Sequence, residues 1–185
     1  QFHPGNKKSA SCLINSGPLK ATIYSNYKDG LRWAAIWEIY PTYARMTVLS
    51  ARYSYWFLYE GTPGGTFNGN TDYIVRPDGT QTLLSGGWKA ALSPEQWVYV
   101  ADPGLNRSLF VAQSGQDNYQ DMYESGDGKM TVLGFGRNGT NALIPLTQVP
   151  QKFSIGLIDT VTFADAAPLI RGAYMDLTTT VGEGE

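Results

Sequence analysis

Short strand-like runs that end in turn residues recur along the whole chain. Between Trp33 and Ile39 successive residues alternate between two faces, which is the period-two spacing of a β-strand. Turns such as Ser16-Gly17-Pro18 and Pro77-Asp78-Gly79 separate one run from the next. Roughly ten to twelve such runs at regular spacing predict an all-β protein. We expect a single antiparallel two-sheet β-sandwich, of the supersandwich or jelly-roll type, with at most one short helix.

Composition supports this fold class and excludes several functions. Of the 185 residues, 13% are aromatic and only 16% are charged, and the net charge of −2 comes without a basic run. Nucleic acid is therefore not an expected partner, and no apolar run reaches the ~20 residues that a membrane-spanning helix needs. Cys12 and His3 are the only residues of their types. An intrachain disulfide and a Cys/His zinc site are therefore excluded, and a histidine-dependent catalytic triad is not expected.

The chain divides into a short arm and one domain. Residues 1–9 are polar and contain a Pro-Gly pair, so we predict a flexible arm, and residues 10–185 are predicted to form the single sandwich domain. The one predicted helix is Asp165–Tyr174, with Asp165 as its N-cap and Pro168 within its first turn. The chain begins at Gln1 as a processed protein would, and we expect a secreted origin.

The run Tyr55–Gly65 indicates a ligand class. Aromatic residues lead directly into Glu60, and a Gly/Pro turn follows, so the carboxylate is predicted at the rim of a sheet. A sugar stacks its C–H face on aromatic rings while its hydroxyl groups need acceptors, and this pattern suits it. We expect Tyr59 and Glu60 to contact a polysaccharide or oligosaccharide. Trp56 shares the face of Glu60, and Trp88 lies in a glycine-rich loop, where we expect an exposed aromatic platform.

Two catalytic schemes are open. If Leu31–Tyr40, Tyr43–Ser50 and Tyr53–Glu60 form a meander, Glu38 and Glu60 lie roughly 10 Å apart at one edge. That separation is close to the one used by inverting glycosidases. In the alternative interpretation each carboxylate pairs with an arginine on a solvated face.

A lyase would instead need a tyrosine base and a cation that neutralises a uronate carboxylate. The residues available for these roles and for contacts with the glycan are Tyr59, Tyr119, Tyr123, Arg76 and Arg137.

The polar segment Ser114–Lys129 offers oxygen ligands for a cation. Asp117, Asp121 and Asp127 are the predicted ligands of a Ca²⁺ ion, because calcium prefers carboxylate and carbonyl oxygens. The segment does not match the EF-hand pattern. A solvated acidic loop, or a lid over the substrate, would have the same composition.

Three segments resemble a known group of domains. Ser16–Ala21, which leads into a strand, is similar to the opening of supersandwich domains in carbohydrate-active proteins, such as galactose-mutarotase-like modules and polysaccharide lyases. Tyr55–Gly65 and Met130–Arg137 resemble segments of secreted bacterial proteins from polysaccharide-degrading organisms. The histidines typical of mutarotase active sites have no counterpart here. The resemblance implies a carbohydrate ligand but assigns no catalytic residue.

The resulting hypothesis is a secreted, polysaccharide-acting β-sandwich. Glu60, Glu38, Tyr59 and Arg137 are the catalytic candidates for a lyase or hydrolase. Trp56, Trp88, Arg76, Tyr119 and Tyr123 are the candidate ligand contacts. The alternatives are a carbohydrate-binding module without activity and a structural domain of a larger secreted protein. The identity of the glycan and the oligomeric state are left open.

Overall fold

The computed structural model describes residues 8–28, 32–117, 119–136 and 146–175. Within these ranges the chain forms thirteen strands and one helix. The strands are β1 Ser9–Ser16, β2 Ala21–Tyr27, β3 Trp33–Ile39, β4 Tyr43–Ala51, β5 Phe57–Gly61, β6 Tyr73–Val75, β7 Gln81–Leu83, β8 Trp88–Ala90, β9 Trp97–Asp102, β10 Arg107–Gln113, β11 Asp121–Gly126, β12 Met130–Phe135 and β13 Gln151–Ile158. The helix is α1 Phe163–Tyr174.

The strands form two antiparallel sheets. The larger has nine strands in the order β1-β2-β3-β4-β13-β10-β9-β6-β7, and the smaller has four in the order β5-β12-β11-β8. Every strand pairing between named strands is antiparallel. The predicted two-sheet antiparallel β-sandwich is confirmed.

The two faces of the nine-stranded sheet carry different layers. On one face the four-stranded sheet closes an intersheet core, where Phe57 of β5 stacks on Phe153 of β13 with ring centroids 4.4 Å apart. On the opposite face α1 buries Ala166 and Ile170 against aromatic residues of the sheet, including Trp97. The molecule is therefore a three-layer arrangement, because both faces of the central strands are apolar.

The predicted helix is present, but it begins two residues earlier than predicted. Thr162, with extended backbone dihedrals, is the N-cap, and the helix begins at Phe163 rather than after Asp165. Asp165 lies in the first turn and accepts a hydrogen bond from the hydroxyl of Thr162. An acidic residue there is favourable because its charge opposes the positive end of the helix dipole. Pro168 falls in the second turn instead of the first.

The predicted three-strand meander is wrong. β3 and β4 are neighbours in the nine-stranded sheet, but β5 belongs to the four-stranded sheet. The chain crosses between the sheets after Ala51, because Phe57 completes the intersheet core against Phe153.

The polar segment 114–129, for which a loop or a lid was considered, contains a strand. β11 lies within the polar segment 114–129 and forms a hairpin with β12. Asp127 and Gly128, both with positive φ, make the turn between them.

β1 already begins at Ser9, and residues 1–7 of the predicted arm lie outside the described residues. Cys12 is exposed on β1 with a free thiol. Within the described ranges, no helix has the length and apolar character that a membrane crossing needs.

Candidate functional site

The outer face of the four-stranded sheet is built by simple alternation. Phe57, Tyr123 and Leu133 point into the intersheet core. Their neighbours along each strand therefore point outward, away from the nine-stranded sheet. These outward residues are Leu58 and Glu60 on β5, Val132 and Gly134 on β12, Met122 and Glu124 on β11, and Lys89 on β8.

Strand register brings two carboxylates into one row on this outer face. Val132 pairs with Glu60 on one side and with Glu124 on the other. Two strand spacings therefore separate the two glutamates, which puts their Cα atoms roughly 10 Å apart. Glu60 is exposed and Glu124 is half-buried, with the apolar side chain of Val132 between them.

The neighbouring row supplies a floor and a cation. It runs Leu58, Gly134, Met122 and Lys89 across the four strands. Gly134 has no side chain, so the row has a gap between Leu58 and Met122. An open depression of about 340 Å³ lies at the β8–β11 edge, lined by Gly87, Trp88, Lys89, Met122, Tyr123 and Glu124. This surface has two acidic groups and one basic group around an apolar floor.

The predicted catalytic residues are not brought together. Glu38 lies on β3 in the other sheet from Glu60, where the ammonium group of Lys20 donates to its carboxylate at 2.8 Å. The meander that would bring Glu38 beside Glu60 is therefore absent. Glu38 instead forms a salt bridge, as in the interpretation that pairs each carboxylate with a cation, although the cation is a lysine rather than an arginine. Tyr59 packs against the intersheet core. Arg137 lies outside the described residues.

The predicted exposure of Trp88 is wrong, and the candidate ligand contact Tyr123 is also buried. Trp88 is only 8% exposed and belongs to the intersheet core. Tyr123 is 1% exposed, and its hydroxyl donates to the carbonyl of Leu84 at 2.8 Å. Burial raises the pKa of the Tyr123 hydroxyl above its ordinary value, so it is a poor general base.

The remaining predicted contacts are dispersed. The guanidinium group of Arg76 lies 5.6 Å from the Trp88 ring centroid, in a cation–π contact. Trp56 is half-buried beside β5, and Tyr119 is exposed in the segment that precedes β11.

The three predicted calcium ligands do not lie together. Asp121 begins β11, whereas Asp127 lies in the turn beyond its other end, so six residues of extended chain separate them by roughly 20 Å. Among the described residues, no three His, Cys, Asp or Glu side chains form a metal-binding group. Burial raises the pKa of Asp121, and the charge of Asp117, four residues earlier in the chain, raises it further.

The sequence analysis missed a buried amide–carboxylate cluster, which consists of Gln96, Gln113, Asp117 and Asp121. Gln96 and Gln113 oppose each other where β9 begins and β10 ends, and the Gln113 backbone N–H donates to the Gln96 carbonyl at 2.7 Å. The Gln113 side-chain amide donates to the Asp117 carboxylate at 2.7 Å. The Gln96 amide donates to the carbonyls of Leu92 and Asp117, at 3.0 and 3.3 Å.

Three side-chain oxygens of this cluster have no hydrogen-bond partner among the described residues. They are Gln96 Oε1, Gln113 Oε1 and Asp121 Oδ2, and each belongs to a side chain that is almost fully buried. Asp121 Oδ1 accepts the Gly136 N–H at 3.2 Å, yet burial and the nearby Asp117 raise the pKa of Asp121 to about 8. A buried acceptor without a partner costs about 1–3 kcal/mol.

Some of the missed residues had a sequence signal. Asp127-Gly128 between two strand-like runs is a hairpin signature. Once that hairpin is recognised, the alternation around Tyr123 places the neighbouring Glu124 on the outer face. Lys89 and the two glutamines had none, because their positions depend on register between distant strands.

Comparison with protein-family models, curated proteins and solved structures finds no match to this chain. The resemblance to supersandwich domains therefore stays a prediction.

Proposed function

We propose that this is a secreted protein that hydrolyses a polysaccharide bound across the outer face of its four-stranded sheet. The observation that carries the proposal is the row Glu60–Val132–Glu124, in which two carboxylates flank an apolar residue on the outer face of the smaller sheet. Glycoside hydrolysis needs two carboxyl groups on opposite sides of the scissile bond.

The separation of the two glutamates favours one stereochemical course. At roughly 10 Å between Cα atoms there is room for a water molecule between one carboxylate and the sugar. We expect inversion at the anomeric carbon, with one glutamate as general acid and the other activating the water. Leu58 offers a half-buried apolar surface to the sugar ring, and Lys89 offers a charged donor to a hydroxyl or uronate group.

The lyase alternative has less support. Its tyrosine base must reach the substrate, but Tyr59 packs inward and the Tyr123 hydroxyl is engaged by Leu84. Tyr119 is exposed, but it precedes β11 and has no place in either row of the outer face. The carboxylate pair therefore favours hydrolysis over elimination.

The test is incubation with a panel of neutral and uronate-containing polysaccharides. New reducing ends without the absorbance of an unsaturated uronate are the expected products. Glu60→Gln and Glu124→Gln should each lower kcat by about 10²–10⁴, the usual contribution of a general acid or base. Glu38→Gln is the matched control and should keep full activity. If both outer-face variants stay active, this assignment of the site is wrong, and absorbance at the uronate wavelength would mean a lyase.

A second candidate is a carbohydrate-binding module without activity. Among the described residues, the intersheet core contains no residue of β1 or β2, so these strands extend the nine-stranded sheet beyond the smaller one. There Leu13, Ile23 and Trp37 form one row, and Leu13 is 62% exposed. Retardation by a polysaccharide without products, abolished by Leu13→Ser but not by Glu60→Gln, would favour this function.

A further inference from the structure

β1 is the longest unpaired sheet edge in the described part of the chain. It pairs with β2 on one side and with no described strand on the other. The other three edges are shorter, because β7 and β8 have three residues each and β5 has five, against eight in β1. An unpaired edge is a template for another strand, and proteins often block it with charged side chains or proline. β1 contains neither.

The side chains of β1 add little to the core of a single chain. All residues from Ala10 to Ser16 are exposed, so neither face of this strand is covered. Leu13 and Ile14 are 62% and 54% exposed. Exposed apolar side chains beside unpaired backbone groups mark a surface that another molecule can cover.

The alternation of hydrogen bonds identifies the backbone groups at the free edge. The N–H of Lys28, directly after β2, donates to the Lys8 carbonyl at 2.8 Å, so position 8 is bonded toward β2. Bonded and non-bonded positions alternate in an antiparallel pair, and Cys12 therefore also turns its N–H and C=O groups toward β2. Ser11 and Leu13 turn theirs toward the free edge.

We propose that the β1 edge pairs with the β1 edge of a second copy of this chain, antiparallel and about a two-fold axis at Cys12. In this register Ser11 of each copy lies opposite Leu13 of the other, so four N–H···O bonds pair the edge groups of both residues. A register shifted by one residue would set these groups against groups that are already bonded to β2. The two Cys12 residues lie directly opposite each other in a non-hydrogen-bonded pair, with Cα atoms about 4.5 Å apart.

The charges of the strand suit pairing with its own copy. From Ser9 to Ser16 β1 has no charged side chain, so antiparallel pairing of two copies places no like charges opposite each other. Lys8 of one copy falls opposite Ser16 of the other rather than opposite the second Lys8. The bulge between Leu13 and Asn15 interrupts the strand beyond its central residues. The interface is therefore small and the dimer reversible.

This inference is independent of the proposed hydrolase, because β1 belongs to the nine-stranded sheet and the Glu60–Glu124 row to the smaller one. Hydrolysis would not depend on the dimer, and dimerisation would not depend on turnover.

The first test is the mass of the wild-type protein in solution. Sedimentation equilibrium between about 1 μM and about 1 mM chain covers the range in which small interfaces associate. It should show a reversible rise from the mass of one chain toward twice that mass. The mass of one chain throughout would overturn the inference. Growth beyond two chains would also overturn it, because a two-fold pairing uses both edges.

Substitutions at the edge test which groups pair. Ser11→Pro removes an N–H that points away from β2, so the chain should fold and its dimer Kd should rise about tenfold or more. Ser11→Ala is the matched control, because it too loses the 2.7 Å contact between the Ser11 and Ser25 hydroxyls but keeps the N–H, and it should dimerise like the wild type. Cys12→Lys sets two charges directly opposite each other and should also weaken the dimer, whereas Cys12→Ser should not. A wild-type Kd in either folded variant, Ser11→Pro or Cys12→Lys, would contradict the assignment of the edge.

Cross-linking tests the register. Diamide accepts two hydrogens from two thiols and leaves a disulfide, and a Cα separation of about 4.5 Å is within the span of that bond. The wild-type protein should therefore form a reducible dimer through Cys12, whose thiol is free and exposed. Ser11→Pro keeps this cysteine and should cross-link more slowly. Equal rates in the two proteins would mean random collision and would overturn the register.

Discussion

Glu95 holds α1 to the nine-stranded sheet, and its loss should be measurable. The guanidinium group of Arg171 donates to both carboxylate oxygens of Glu95, at 2.8–2.9 Å. The Trp97 indole and the Tyr174 hydroxyl donate to the same carboxylate, at 2.9 and 2.8 Å. Two residues of the helix and one strand residue therefore converge on a single charge.

These hydrogen bonds lower the pKa of Glu95 to about 2 from its ordinary value of 4.5, mainly through Arg171. A difference of about 2.5 in pKa corresponds to about 3.4 kcal/mol of stability in the charged state. The Arg171 side chain is 40% exposed, so solvent screening reduces the expected contribution to about 1–2 kcal/mol. Because the folded pKa is the lower one, this stability is complete above pH 4.5 and is lost as pH falls toward about 2.

The perturbation is Glu95→Gln, and the assay is urea denaturation followed by tryptophan fluorescence at about pH 7 and about pH 3. The variant should be less stable than the wild type by about 1–2 kcal/mol at the higher pH. The gap should narrow at the lower pH, where Glu95 of the unfolded chain, at its ordinary pKa of 4.5, binds a proton that the folded chain still excludes. Asp159→Asn is the control, because its ion pair with Arg107 is exposed and should contribute less than about 0.5 kcal/mol. Equal stabilities of the two variants at about pH 7 would refute this account of the Glu95 cluster.

Further predictions concern packing. A Cβ on Gly156 would lie 2.6 Å from the Phe110 ring and 2.7 Å from the Thr42 carbonyl, so Gly156→Ala should cost about 1–3 kcal/mol in urea denaturation. Gly172→Ala in α1 meets open space and should instead stabilise the protein by about 0.5–1 kcal/mol; a loss of stability there would contradict the helix assignment. Tyr123→Phe leaves the Leu84 carbonyl without its donor and should lower Tm, at a cost of about 1–3 kcal/mol, while a neutral result would mean that water replaces the hydroxyl.

Local patterns predicted the fold class well because their causes are local. Alternation between Trp33 and Ile39 produces β3, and the short apolar run that ends at Tyr174 produces α1. The turn at Asp127-Gly128 was an equally local signal that would have placed β11 and, with it, Glu124.

The candidate site could not be predicted in the same way. Trp88 stands among glycines in the sequence, which suggested exposure, but segments distant in the chain bury it in the intersheet core. Gln96 and Gln113 look like ordinary polar residues at strand ends. The pairing of β9 with β10, which the sequence does not reveal, brings the two glutamines opposite each other.

By itself the amino-acid sequence predicted antiparallel strands, at most one short helix and no intrachain disulfide, because alternation and turn residues act at short range and a single cysteine has no partner within the chain. Only the tertiary structure decided which sheet each strand joins. The alternation that leads to Glu60 fits either sheet, and the stacking of Phe57 on Phe153 assigns β5 to the smaller one. That assignment separates Glu60 from Glu38 and places it in a row with Glu124, because a side chain's neighbours depend on strand register and sheet packing.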